Sequence, residues 1–124
     1  MTISILCIDD SKLSRTFIKK GLSEILDGND VTFEETSNPI EGIELCRNNL
    51  YDFVILDLTM PEMSGYEFLA ALQENEILQK IIVLTADVQP LAEEKVLDLG
   101  AAGYLKKPFD NESMTKMLKK TGAI

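Results

Sequence analysis

The chain has 124 residues, of which 45% are hydrophobic and 27% charged, and its formal net charge is −9. That length suits one ordinary domain with its own core and leaves no room for a second folded unit. No apolar run approaches the roughly 20 residues of a membrane span, and the acidic balance opposes direct nucleic-acid binding, which rests on Lys and Arg neutralising phosphates.

The first residues enter strand-like sequence with no basic segment and apolar stretch ahead of it, so a cytoplasmic protein without a secretion signal is expected. Cys7 lies in an apolar run and Cys46 on a helical pattern, without the spacing of a metal site or redox pair, which makes both expected buried hydrophobes. Ile3–Ile8 is a short apolar strand ending in Asp9 and Asp10. A helix should begin near Ser11 and run to about Leu26, burying Leu13, Phe17, Leu22, Ile25 and Leu26. Val31–Thr36 alternates as an edge strand would. Asn38, Pro39 and Glu41 form an N-cap, an N1 proline and an N3 glutamate able to reach back, which opens a second helix.

Tyr51–Asp57 is almost wholly apolar and has a carboxylate at its exit, the pattern of a buried parallel strand. A loop over Leu58–Gly65 delays a third helix whose apolar side is Tyr66, Phe68, Leu69 and Leu72. Ile81–Thr85 is a further buried strand ending in a hydroxyl, followed by a helix from near Pro90 to Leu99 or Gly100. Ala102–Lys106 is a short strand, and Asp110 caps a last helix with Met114, Met117 and Leu118 inside. The alternation predicts one α/β domain over residues 1–124, a flavodoxin-like, doubly wound (βα)5 sandwich with parallel sheet order 2-1-3-4-5.

In such a sheet the strands' carboxyl ends converge, bringing Asp9, Asp10, Asp57 and Thr85 to the edge where open α/β sheets bind ligands. Three carboxylates in one crevice repel one another, and a hard divalent cation relieves that repulsion. Mg2+ takes oxygen ligands from one or two carboxylates plus phosphate oxygens, leaving one aspartate free to act as a nucleophile toward phosphorus. Thr85 can hydrogen-bond a phosphoryl oxygen, and Lys107, next to Pro108, can supply compensating positive charge. A lone aspartate at a helix start is more often an N-cap, and a lone threonine at a strand end mere β-propensity. Their joint placement at successive strand ends points to phosphoryl chemistry.

These residues resemble the receiver domain of two-component response regulators. Asp9-Asp10-Ser11 is similar to the family's acidic pair, Asp57–Gly65 to its phosphoacceptor loop, Thr85-Ala86 to its switch pair, and Lys107-Pro108-Phe109 to its lysine and proline. The resemblance implies that Asp57 accepts a phosphoryl group from a histidine kinase or His-phosphotransfer protein. It implies Mg2+ held by Asp10, Asp57 and the Thr59 backbone carbonyl, with Asp9 acting through water, and a cis peptide between Lys107 and Pro108.

It also implies a switch in which Thr85 moves toward the phosphoryl group and Tyr104 turns inward, altering the surface of the fourth helix, fifth strand and fifth helix. Thr59 and Asp87 stand where the family tunes phosphate lifetime. Lys12, Leu13, Arg15 and Thr16 would offer a kinase-docking surface, and the C-terminal lysines either select an acidic partner or pair within their helix, as Glu112 and Lys116 can. The expected protein is a stand-alone, chemotaxis-type regulator with no effector domain, not an enzyme beyond its own phosphorylation and dephosphorylation. It would bind a downstream target protein as a monomer, or as a weak dimer once phosphorylated. The alternatives are an aspartyl-phosphate phosphohydrolase, against which Thr59 occupies the place of a second acid, and a phosphorylation-independent interaction domain. A flavodoxin-type flavin site fails on electrostatics, because Asp9 and Asp10 would face an anion.

Overall fold

The computed structural model describes residues 2–86 and 89–124. Five βα units follow in order: β1 (Thr2–Ile8), α1 (Lys12–Ile25), β2 (Asp30–Thr36), α2 (Pro39–Asn48), β3 (Phe53–Leu56), α3 (Gly65–Glu74), β4 (Ile81–Thr85), α4 (Ala92–Asp98), β5 (Gly103–Lys106) and α5 (Asn111–Lys120). The strands form one sheet in the order β2-β1-β3-β4-β5, with every pairing parallel. This is the flavodoxin-like topology expected from the alternating pattern, and it puts every strand's exit on one edge. None of the described helices is long and apolar enough to cross a membrane.

Because side chains alternate across a strand, each central strand feeds two cores. Leu6, Ile8, Val54, Leu56, Ile81 and Val83 pack against Ile43 of α2, Phe68, Leu69 and Leu72 of α3 and Val96 of α4. Ile5, Cys7, Phe53, Ile55, Ile82 and Leu84 pack against Ile18 and Leu22 of α1 and Met114 and Leu118 of α5. A fully buried Leu, Ile or Phe contributes roughly 1.5–3 kcal/mol of transfer free energy, so these cores hold the sheet edge rigid beneath the site. Both cysteines are buried, and burial pushes each thiol up to about 12.

The caps explain most helix starts. Ser11 opens α1 by accepting from the Ser14 N–H, Asp110 opens α5 from Ser113, and Ser64 forms a reciprocal capping box with Glu67 at α3. Asn38 caps α2 through the Ile40 N–H, with Pro39 at N1. Glu41 does not reach back as expected, because Thr36 Oγ1 already accepts from the Asn38 N–H. Helix α4 starts at Ala92 rather than Pro90: Leu91 stands before it at φ 65°, with no side-chain cap bond.

One expected face is corrected. Leu13 and Phe17 are 82% and 52% exposed, because α1 rests on the sheet along Ile18, Leu22 and Leu26. Phe17 lies edge-on to Phe109, with ring centroids 5.6 Å apart. Among the other expected inward residues, Ile25 and Met117 are partly buried.

Candidate functional site

Parallel register delivers the chemistry to one place. Asp9 follows β1, Asp57 follows β3, Thr85 ends β4 and Lys107 follows β5. Backbone bonds fix these exits: the Asp57 N–H donates to the Ile8 carbonyl at 3.0 Å, and the Lys107 N–H to the Thr85 carbonyl at 2.8 Å. The loop after Asp57 is pinned by Gly65, whose N–H donates to the Leu58 carbonyl at 2.8 Å. A Cβ on Gly65 would stand 2.8 Å from both the Asp57 carbonyl oxygen and Leu58 Cα, so only glycine allows α3 to start this close. The Lys107–Pro108 peptide is cis.

Asp9 is 1% exposed and Asp57 7%, whereas Asp10 faces solvent. Each of the three offers a carboxylate oxygen, and these oxygens all lie within 4.8 Å of one another. Lys107 Nζ is 2.7 Å from Asp9 Oδ2 and 3.5 Å from Asp57 Oδ2, so the cation sits between the two buried acids but nearer the first. Thr85 is fully buried at the strand end. The Thr59 N–H points at Asp57 Oδ1 from 3.5 Å, a long approach. Asp57, Thr59, Ala86, Gln89 and Lys107 line an open crevice of about 360 Å3. Asp87, expected to tune phosphate lifetime, lies outside the described residues.

A family model for the response regulator receiver domain matches residues 5–119. The chain belongs to that family. The nitrate/nitrite response regulator protein NarL of Escherichia coli is 36% identical over 120 residues, covering 97% of this chain and 55% of NarL. The sensor histidine kinase CheAY of Helicobacter pylori is 28% identical over 121 residues, 94% of this chain but 15% of that protein. The chain thus spans about half or less of the length of these curated relatives. Among solved structures, the chemotaxis protein CheY4 of Vibrio cholerae superposes with a TM-score of 0.80 at 28% identity, covering 98% of this chain and 99% of that one. The receiver domain of the NarL-like regulator from Mycobacterium tuberculosis gives a TM-score of 0.82 at 26% identity, covering 98% and 97%.

Receiver domains are signalling modules of two-component systems and bind Mg2+ at an acidic cluster. The residues present here fit that ion. All three donors are hard carboxylate oxygens close enough to share one cation, and exposed Asp10 leaves room for the waters that Mg2+ retains. Electrostatics single out Asp57. Burial pushes its carboxyl above the ordinary 3.8 and the Asp9 charge adds to the rise, while the Lys107 ammonium and hydrogen bonds from Thr85 and Thr59 pull it back. A poorly solvated carboxylate beside a second buried acid gains from an arriving cation.

Two residues of this receiver carry roles that the spacing did not announce. Ser14 Oγ donates to Asp9 Oδ2 at 2.7 Å. Arg15, expected on the docking surface, instead turns inward: Nη1 donates to the Asp9 carbonyl at 2.6 Å and Nε to Glu35 Oε1 at 2.8 Å. Lys19 pairs with the other Glu35 oxygen, and these two cations hold the Glu35 carboxyl below its ordinary range. A polar residue three places after a serine N-cap was the available signal for Ser14, since N3 lies over the N-cap loop.

Tyr104 lies opposite Val83 in the β5 ladder and is half-buried against the core under α2, α3 and α4. Of the two readings of the C-terminal lysines, the ion pair is present: Lys116 Nζ lies 3.3 Å from Glu112 Oε1, with both side chains well exposed. Such a pair adds little.

Proposed function

We propose that Asp57 is the phosphoacceptor of a phosphorylation-controlled binding module and that the 124 residues form one receiver unit acting in the cytoplasm. The supporting observation is the grouping of Asp57 with Asp9, Asp10 and Lys107 at one sheet edge. The Asp57 carboxylate attacks the phosphorus of a phosphohistidine on a kinase or phosphotransfer protein. An O–P bond forms, the P–N bond breaks, and the departing imidazole keeps the electron pair and takes a proton from solvent. Return to the resting state is attack by water on the same phosphorus, releasing phosphate; by sequence position, Thr59 and Asp87 correspond to the residues with which receivers tune that step.

Asp10, Asp57 and the Thr59 carbonyl would hold Mg2+, with Asp9 contributing through water; the ion would neutralise charge gathering on the phosphoryl oxygens. This chain's own contribution is placement. Lys107 stands within reach of an oxygen on Asp57, and the Thr85 hydroxyl, already bonded to Asp57, can pass to a phosphoryl oxygen. That movement, with Tyr104 turning inward, would alter the α4, β5 and α5 surface that a target protein reads. The phosphodonor has an apolar landing beside the site, a cavity of about 380 Å3 lined by Leu13, Phe17, Pro108 and Phe109 and bordered by Lys107.

The test is intact mass after incubation with Mg2+ and acetyl phosphate, with and without EDTA. A gain of one phosphoryl group (about 80 Da) that needs Mg2+ and is absent in Asp57→Asn supports the reading. No adduct and no released phosphate would overturn it, and fast release with no adduct would favour a phosphohydrolase.

A further inference from the structure

The Asp9 carboxylate is held on both oxygens. Oδ1 accepts from the Ser11 N–H at 2.9 Å, and Oδ2 accepts from Ser14 Oγ and from Lys107 Nζ, both at 2.7 Å. The Ser14 hydroxyl has no part in capping α1, because the cap is the Ser11 hydroxyl accepting from the Ser14 backbone N–H at 3.2 Å. Among the described residues its hydroxyl donates to Asp9. Lys107 is tethered at its backbone to Thr85 and shared at its ammonium between Asp9 and Asp57.

We propose that Ser14 is a positioning residue for phosphoryl transfer: it orients the Asp9 carboxylate and, through it, sets where Lys107 stands relative to Asp57. This role rests on Asp57 being the phosphoacceptor. Two donors from the rigid start of α1 fix the plane of the carboxylate, which a lysine on four rotatable bonds cannot do. The Ser14 bond also shares the charge on Oδ2, which weakens the hold of Asp9 on Lys107. Without the hydroxyl, Asp9 is free to tilt and draws the ammonium onto itself. Lys107 then stands farther from the oxygen it must meet on Asp57. Misplacing a reacting or stabilising group by about 1 Å can cost on the order of 100-fold in rate.

The experiment compares wild type, Ser14→Ala, Ser14→Thr, Asp9→Asn and Ser14→Ala/Asp9→Asn. Phosphorylation by acetyl phosphate with Mg2+ is followed by intact mass, and urea unfolding is followed without metal. Ser14→Ala is expected to slow phosphorylation about 5- to 10-fold, within the range that small misplacement produces. Ser14→Thr, which keeps the hydroxyl, is expected to restore it. In the Asp9→Asn background the alanine should cost nothing further, and the unfolding midpoints should show the same coupling between the two positions. A wild-type rate in Ser14→Ala, an undiminished slowing in the Asp9→Asn background, or unfolding effects that simply add would each overturn the role. A wild type that takes no phosphoryl group overturns the reading of Asp57 and this role together, whereas a phosphorylated wild type matched by Ser14→Ala overturns the role alone.

Discussion

Helices α1 and α4 both start beside the carboxyl edge of the sheet, and they start in different ways. At α1, Ser11 supplies the cap, Ser14 and the Ser11 N–H hold Asp9, and Arg15 clamps the Asp9 carbonyl while braced by Glu35 of β2. At α4 the residue before the helix is Leu91 at φ 65°, and no side chain caps the first turn. The difference teaches how one edge can hold charge in place and still signal. The half bearing Asp9, Asp57 and Lys107 is over-determined, so its charges stay where the proposed phosphoryl transfer would need them. On the α4 side the first turn has no side-chain cap, and rearranging that turn costs less.

The largest effect should come from breaking the rigid half at its cation. Lys107→Ala leaves Asp9, 1% exposed, with its charge buried and its main counter-ion gone. Loss of one partner from such a pair costs roughly 3 kcal/mol, to be read as a lowered urea midpoint in metal-free protein at neutral pH. A midpoint equal to wild type would mean that the pair is solvent-screened and the site looser than described. Gly65→Ala comes next. Its new Cβ would meet backbone at Leu58 and Asp57, atoms that cannot step aside without moving the loop. Overpacking of this kind costs roughly 2 kcal/mol, and slower phosphorylation should accompany it, since the displaced segment carries Asp57.

Asp57→Asn should act in the opposite direction. Burial raises the Asp57 carboxyl above its ordinary 3.8, so the folded protein binds that proton more tightly than the unfolded chain. Stability linked to Asp57 is therefore greatest at acid pH and is lost as pH rises from the unfolded value through the raised folded one. Asparagine removes that loss. The variant should match wild type at acid pH below the ordinary carboxylate range and melt higher at neutral pH without metal. Identical melting across the range would show that Lys107 fully offsets the burial.

The strands were legible because a buried parallel strand must be apolar on both faces, as Phe53–Leu56 and Ile81–Thr85 are. Asp9, Asp57, Thr85 and Lys107 were legible as a group because parallel strands exit at one edge. Leu13 and Phe17 were misplaced because a helical period admits neighbouring stripes, and only packing on the sheet selects Ile18 and Leu22. Pro90 suggested a helix start, but the chain takes one left-handed residue at Leu91 before α4 begins. Ser14 and Arg15 were hidden for another reason. The N3 position of Ser14 points to the N-cap loop without naming Asp9, and the partner of Arg15 sits on a strand more than a dozen residues away, which no local spacing records.

The smallest effect tests the yielding half. Leucine in the left-handed region carries a penalty of roughly 1–2 kcal/mol from its Cβ, and Leu91 is largely exposed, so its side chain recovers little of that by packing. Leu91→Gly removes the strain and adds backbone freedom to the unfolded chain worth roughly 0.5–1 kcal/mol, for a net gain near 0.5 kcal/mol. Urea unfolding should show a slightly raised midpoint, while the rate of phosphorylation by acetyl phosphate should stay at the wild-type value because no atom of the charged half moves. A changed phosphorylation rate would mean that the start of α4 is coupled to Asp57 before any phosphate arrives, and the division of the edge into a fixed half and a yielding half would fall.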